Sequence, residues 1–350
     1  MENNSVFGVD LSKDVFHIVE MSKGGRILRK EKLSREGFAE RLNHFPKGCA
    51  LYMEACGGSH HWSRVAKGHD IEVHQIAPHR VKPYVGHQKN DYRDAEAICE
   101  ASQRQGMKFV STKSSFQQEV EGLHRVRERR IGVRTALINQ IRGLLCEHGI
   151  VLSVGATAVY SYKATLLDDT RLSPGLRMTI CELYEELMHL DERILATERA
   201  LERVSKENDT IKRHRTIPGV GALTASALAV LYGDVTVFKN GRQFSASIGL
   251  VPKQHSTGGK QRLGNITKHG DGYVRRLLLM GGLSTLRATL RSTAPDNKRS
   301  LWIKRLYAEK GTKLTAVAIA NKNARIAWKI LTSGAMFHMV SMPATTADIQ

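Results

Sequence analysis

Apolar and polar positions alternate in three short runs near the start of the chain, Val6 to Asp10, Val15 to Glu20 and Arg26 to Leu33. Alternation with a period of two predicts strands. Ser12-Lys13 and Lys23-Gly24-Gly25 supply turns between them, so the three runs predict an antiparallel meander. Ser34 is placed to cap a short helix through Leu42. Ala50 to Glu54 predicts a fourth strand, Ser59 to Ala66 a helix and Ile71 to Ile76 a fifth strand, a β-α-β unit whose strands run parallel. From Ser114 to about Gly149 the period becomes helical, with Val120, Leu123, Val133, Leu137, Ile141 and Leu144 on one side. Leu176, Ile180, Leu183, Leu187, Leu190, Ile194, Leu201 and Val204 then alternate spacings of four and three, broken once at Thr197, the heptad of a coiled coil. Its partner is either the preceding long helix or the same helix of a second subunit.

Weaker pattern marks the boundaries. Residues 151–175 show little periodicity and read as a linker or a loosely packed insertion. Thr216 to Ala225, with Pro218-Gly219-Val220-Gly221, reads as a helix-hairpin-helix-like turn or a simple reversal of direction. The expected organisation is an α/β domain over residues 1–112, a helical, coiled-coil region over 113–210, a mostly helical C-terminal domain over 211–335 and a motif-free tail, expected to be disordered, over 336–350.

Charge changes the picture. Fifty-three Lys and Arg against 34 Asp and Glu give a formal charge of +19, which points to a polyanionic partner. Arg125, Arg127, Arg129, Arg130, Arg134 and Arg142 lie opposite the apolar side of the first long helix, as a phosphate backbone would require, although a charge run is also how a solvated face is built. A second basic stretch, Lys239 to Arg305, contains only Asp271 and Asp296 as acids. The five cysteines form no CxxC pair, which argues against a zinc ribbon or disulfide framework and fits a reducing cytoplasm. No leader pattern and no bilayer-length apolar run is evident, so no membrane partner is expected.

Four acids then stand out. Asp10 and Glu54 each end a predicted strand, and Asp91 and Asp94 lie three apart at a predicted helix start. Singly, Asp10 can open a β-turn, and the helix acids can complement an N-terminus. Together, oxygen-only ligands suit Mg²⁺ or Mn²⁺ acting on a phosphodiester, on a ribonuclease H-like sheet. Gly249 to Lys260 holds His255-Ser256-Thr257-Gly258-Gly259, which reads as a phosphate cradle, a serine nucleophile or a flexible polar loop, and lacks the Walker spacing.

Five stretches, taken in order, carry a resemblance: Gly8-Val9-Asp10, Met53 to Gly57, Asn90 to Ala95, Ile217 to Gly221, and Gly249-Leu250-Val251-Pro252 through Lys268-His269-Gly270-Asp271. From about Val6 to Leu331 the chain resembles the DEDD transposases of the insertion sequence 110 family, particularly its 1111 branch, and more distantly Piv-type DNA invertases. The resemblance implies a RuvC-like domain whose metal site falls on Asp10, Glu54, Asp91 and Asp94. It also implies a C-terminal serine that attacks DNA and forms a phosphoserine link. By position this is Ser256; many relatives read Gln-Ser-Gly here, which aligns Thr257 instead, and Ser245 and Ser247 are further alternatives. The expected partners are donor and target DNA, an RNA from the element's non-coding end that guides by base pairing, and further copies of the chain as a dimer or tetramer. Arg125, Arg129, Arg130, Arg134, Lys260, Arg262, Lys268, Arg275 and Arg276 are the candidate nucleic-acid contacts. The expected place is the bacterial cytoplasm, at the nucleoid. The competing readings are a RuvC-like, water-using nuclease of the junction-resolvase type, an actin-like sugar kinase, which fits the charge poorly, and a structural DNA-binding protein.

Overall fold

The alternating runs form the expected meander: β1 (Ser5–Leu11), β2 (Val15–Ser22) and β3 (Ile27–Ser34) pair antiparallel in chain order. Helix α1 (Arg35–Leu42) follows, with the Ser34 side chain accepting from the Gly37 amide. Then come β4 (Ala50–Glu54), α2 (Ser59–Lys67), β5 (Glu72–Ile76), α3 (Pro78–Val81), α4 (Asp91–Gln103) and β6 (Phe109–Val110). The sheet order is β3-β2-β1-β4-β5-β6, with β1, β4 and β5 parallel and β6 antiparallel at the edge. The computed structural model describes residues 5–338 except 47, 87–90, 231, 233 and 256–261, and nothing of the Asp91 side chain. Its contacts divide the chain into two units, Met1–Gln117 with Tyr232–Asp234, and Gln118–Leu231 with Val235–Gln350.

In the first unit the central strands are apolar on both faces because helices cover both. Phe7, Val9, Phe16 and Ile18 meet Phe38 and Leu42 of α1 and Trp62 and Ala66 of α2. Phe16, Phe38 and Trp62 pack edge to face with ring centroids 5.1–5.2 Å apart. On the opposite face Val6, Val19 and Met21 meet Ala95 and Cys99 of α4. Gly8 makes that contact possible: a Cβ there would stand 2.3 Å from the Ala95 carbonyl oxygen and 2.6 Å from Cys99 Sγ. Outer strand β3 is largely exposed, and its Arg29, Lys30 and Lys32 keep it soluble.

The second unit holds α5 (Ser115–Glu147), α6 (Ala156–Tyr162), α7 (Pro174–Glu207), α8 (Asp209–Arg215), α9 (Ala222–Val230) and α10 (Gly241–Ser247). A two-stranded hairpin, β7 (Pro252–Gln254) and β8 (Leu263–Ile266), is followed by α11 (Gly272–Arg291) and α12 (Lys298–Ser333). Gly311 interrupts α12 at φ 71°, a conformation that favours glycine. Helices α5 and α7 run antiparallel: Leu137, Ile138, Ile141 and Leu145 pack with Ile180, Tyr184 and Leu187, and the ion pairs Arg127–Glu198 and Arg134–Asp191 pin them further along. Of the predicted heptad, Ile180, Leu187, Ile194 and Leu201 are buried, joined by Tyr184. The break at Thr197 is also buried, and its hydroxyl accepts from Arg130.

Residues 151–175 depart from expectation. They are neither a linker nor loosely packed: Val159, Leu166 and Leu172 are buried in the same core as α5 and α7. Tyr184 donates its hydroxyl proton to the Val159 carbonyl at 2.7 Å, and Arg142 donates to the carbonyls of Leu152, Ser153 and Gly155. Anchors at 159, 166 and 172 have no common period, so pattern alone misses them.

A buried histidine ties three helices together. Ser226 of α9 donates its proton to the Ala222 carbonyl at 2.7 Å, so its oxygen accepts from His124 Nε2 of α5 at 3.0 Å. His124 Nδ1 therefore accepts from the Tyr273 hydroxyl of α11 at 2.8 Å. Every polar atom of the neutral ring is used. Burial first, then the neighbouring Arg127 and Arg125, lowers its pKa from 6.5 to about 4.

Candidate metal centre and nucleic-acid faces

Asp10 and Glu54 reach one place because β1 and β4 are parallel neighbours. Val9 and Met53 are paired, so the residues that follow them lie side by side at the carboxyl ends of the strands, where open α/β sheets place ligands. One further ladder bond, from the Ala55 amide to the Ile76 carbonyl at 2.8 Å, holds the Glu54 backbone beyond the strand end. Asp94 comes from the first turn of α4, next to Ala95, whose carbonyl rests over Gly8. The glycine that the motif places two residues before Asp10 is thus what lets the helix acid approach the strand acids.

All three carboxylates are half-buried. Burial, then the charges of Asp10 and Asp94, raises the Glu54 pKa. The Cys56 thiol is raised by burial and then by Glu54 and Asp10. No ion pair or hydrogen bond engages the Glu54 or Asp94 carboxylate among the described residues. Among those residues no three His, Cys, Asp or Glu side chains are grouped tightly enough to hold a metal ion. Asp10, Glu54 and Asp94 are electrostatic neighbours that do not close a coordination shell by themselves, and the Asp91 side chain lies outside the described residues. Half-buried carboxylate oxygens brought together in this way are nonetheless the donor chemistry a hard divalent cation takes.

Two neighbours of this site were not anticipated. His17 stands opposite Asp10 in the β1–β2 pairing, only 5% exposed, and packs edge to face on Tyr92 of α4 at 4.8 Å. A histidine between Phe16 and Ile18 in a predicted strand was the available signal.

The expected nucleophile, Ser256, lies with Thr257 and Lys260 outside the described residues, between the strands of the β7–β8 hairpin. Beyond the last strand pair, on the side of that segment, the His255 amide donates to the Arg262 carbonyl at 2.9 Å. Two other serines are placed clearly. Ser245 is 1% exposed, donates to the Arg242 carbonyl at 3.0 Å and accepts from Asn321 at 3.3 Å. Ser247 is half-buried and donates to the Phe244 carbonyl at 2.8 Å. Both hydroxyls are thus engaged within the fold.

The glycines of the last motif clasp backbone to backbone. A Cβ on Gly270 would stand 1.8 Å from the Ser247 carbonyl oxygen, and one on Gly249 would stand 2.4 Å from that of His269. Asp271 caps α11 by accepting from the amides of Tyr273 and Val274 at 2.7 and 3.0 Å. In the earlier Pro-Gly turn, Gly219 packs on α11, where a Cβ would meet Thr285 Oγ1 at 2.2 Å.

The expected cationic contacts divide by their partners. Arg130 donates to Thr197 and the Arg193 carbonyl, Arg134 pairs with Asp191 at 3.1 Å, and Arg125 faces Glu121, Glu128 and Asp271. Arg275 donates to the carbonyls of Ile248 and His269, and Arg276 pairs with Glu128. Arg129, Arg262 and Lys268 are exposed.

Residues 7–150 match a model of IS110-type DEDD transposases, and residues 212–296 match one described as transposase IS116/IS110/IS902 family. The chain is 41% identical over 334 residues to the transposase for insertion sequence element IS1111A of Coxiella burnetii, covering 95% of this chain and 91% of that protein. It is 40% identical to a probable family 20 transposase of Pseudomonas aeruginosa, over 94% of this chain and 97% of that one. With the transposase for insertion sequence element IS1328 of Yersinia enterocolitica the identity is 37%, over 96% and 99% respectively.

Proposed function

This chain belongs to the IS116/IS110/IS902 family of insertion-sequence transposases, and we propose that it moves its element by cutting and rejoining DNA through a phosphoserine formed at Ser256. It is a DNA transposase. Asp10, Glu54, Asp91 and Asp94 are the residues that would hold Mg²⁺, or Mn²⁺ in its place, in a RuvC-like N-terminal unit. Such an ion, when bound, polarises the scissile phosphate and offsets charge on the attacking and leaving oxygens.

The observation that carries this reading is the convergence of Asp10, Glu54 and Asp94, with the Glu54 pKa raised by burial and by the other two. In the reaction, Ser256 Oγ bonds to phosphorus as the bond to the leaving deoxyribose oxygen breaks; the serine proton passes to water, and the leaving oxygen takes one up. The phosphoserine keeps the energy of the phosphodiester, so attack by an incoming strand's hydroxyl reverses the step and rejoins DNA. An RNA from the element's non-coding end would pair with donor and target, leaving the protein to read backbone and shape. Contacts between copies of the chain would assemble the two ends.

The test is to incubate the protein with Mg²⁺, that RNA and end-labelled donor and target DNA, then denature in SDS and look for label on the protein. An adduct absent from both Ser256→Ala and Asp10→Asn is expected. The acid cluster alone would serve a nuclease that uses water equally well; cleavage without an adduct would establish that second reading and remove Ser256 from the mechanism.

A further inference from the structure

Six cations of the second unit, Arg242, Lys268, Lys313, Lys322, Arg325 and Lys329, have side chains with no carboxylate or hydrogen-bond partner among the described residues and lie in one region. Other cations of that unit are likewise without such a partner among the described residues, Arg129, Arg287, Arg291 and Lys310 among them, but these line neither of the cavities that the six share. The six are not scattered. They line two adjoining cavities, of about 840 and 510 Å³, that share Lys322 and Arg325, and no acid among the described residues lines either. The larger runs along α12 beside the β7–β8 hairpin, walled by Pro252, Ile266, Trp302, Leu314 and Val317, with the Asn265 and Asn321 carboxamides at its edge. The smaller continues between α10 and the end of α12, with Arg242, Trp328 and Lys329.

Lys322 sits at the junction, its ammonium 4.3 Å from the Trp302 ring centroid. Burial first, then Arg299 and Arg325, lowers its pKa. Like charges held together beside a low-dielectric wall repel, and a phosphate between them relieves the repulsion. The larger cavity has the volume of a site for one small organic group, and its wall is apolar. A cationic track with an apolar wall is how proteins hold unpaired nucleic acid without reading sequence.

We propose that this groove holds a single, unpaired nucleic-acid strand, with phosphates on Lys322, Arg325 and the flanking cations and a base against Pro252, Ile266 and Leu314. The strand is thereby led past the hairpin that carries Ser256. This deepens the proposed function and rests on it for the strand's identity, which is DNA if the groove takes the strand to be attacked and RNA if it takes the guide.

The test measures binding of the full chain, in EDTA so that no cleavage occurs, to labelled oligothymidylate, oligouridylate and a DNA duplex across a salt series. Lys313→Gln/Lys322→Gln/Arg325→Gln should lose roughly 10- to 100-fold in single-strand affinity and about 2 in the slope of log K against log salt, at about 0.7 per phosphate contact. Arg287→Gln/Arg291→Gln/Lys310→Gln, exposed cations outside the groove, should stay within about 3-fold of the parent. Should the first triple variant fail to fold, Lys313→Gln alone, at an exposed position with no ion pair or hydrogen bond among the described residues, should still lower the slope by about 0.7. Loss with the DNA or the RNA strand supports the groove and says which strand it takes. Equal losses in both triple variants, or loss with duplex alone, would overturn it. Because no cleavage is involved, the outcome stands whether or not a phosphoserine adduct forms.

Discussion

Replacing His124 by Gln should remove an acid-side loss of stability from the second unit. The ring is 1% exposed and its two nitrogens are satisfied only in the neutral form. Its pKa is about 4 in the folded chain against 6.5 ordinarily. Above about pH 7.5 the residue is essentially neutral in both states and exerts no pH dependence. Between those values only the unfolded chain takes the proton, so stability falls with pH by about 2 kcal/mol at pH 5, approaching about 3 kcal/mol below pH 4, where the folded form is protonated too. His124→Gln keeps a donor and an acceptor but fits less well, which costs about 1 kcal/mol at neutral pH. The variant should therefore be the less stable by about 1 kcal/mol at pH 7.5, cross its parent near pH 6 and be the more stable by about 1 kcal/mol at pH 5. Urea unfolding followed at both pH values checks this, because titrations elsewhere are common to both chains and cancel in the difference. Parallel pH profiles would refute the argument, since they would mean that the buried ring already carries its proton or that the unfolded chain does not gain one.

Two further sets of substitutions probe the glycines that the motifs fix. Gly8→Ala places a methyl 2.3 Å from the Ala95 carbonyl oxygen, so α4 must move off β1 and carry Asp94 with it. A loss of about 1–3 kcal/mol and a larger fall in DNA–protein adduct are expected from thermal unfolding and the SDS assay; normal adduct yield would show that the helix acid is not held by this contact. Gly270→Ala collides with the Ser247 carbonyl at 1.8 Å at a positive φ and should prevent stable folding of the clasp, whereas Gly311→Ala, with nothing within 4 Å, should cost only about 1–2 kcal/mol of backbone strain. Similar melting temperatures for the two variants would contradict the assignment of Gly270 to a backbone contact.

How much of this could be read from the residues alone follows from the range of the interactions involved. Strands β1 to β3 and their turns were readable because period-two patterning and glycine turns are local, and the places of Asp10 and Glu54 at strand ends were readable because each closes such a run before a turn. The reason for Gly8 was not local: it lies in a helix nearly ninety residues later, whose Ala95 carbonyl needs the space. The same limit hid Val159, Leu166 and Leu172, whose burial depends on two long helices on either side of them. Thr197 broke the heptad yet is buried, because the partner it meets is the Arg130 side chain and not a leucine. His124, Ser226 and Tyr273 come from three helices, and no spacing in the chain connects them.

The arginines of α5 show why a charged stripe has two meanings that only partners separate. Arg129 and Arg134 both belong to the expected phosphate-binding set. Arg134 is directed at Asp191 of α7, which also accepts from the Tyr160 hydroxyl of α6, so it closes a contact among three helices. Arg129 is exposed, with no ion pair or hydrogen bond among the described residues. Arg134→Ala should therefore lower stability by about 1 kcal/mol, a shift of roughly 2–4 °C, while leaving the salt slope of nucleic-acid binding nearly unchanged. Arg129→Ala should leave the melting temperature within error, since an exposed and unpaired side chain is worth under about 0.5 kcal/mol, and lower the slope by about 0.7 to 0.9 if phosphate is its partner. Thermal unfolding and a salt titration of each variant read the two effects separately. A lower slope with an unchanged melting temperature in Arg134→Ala would mean that Arg134 leaves Asp191 for phosphate when nucleic acid binds, and the stripe would then act as one surface.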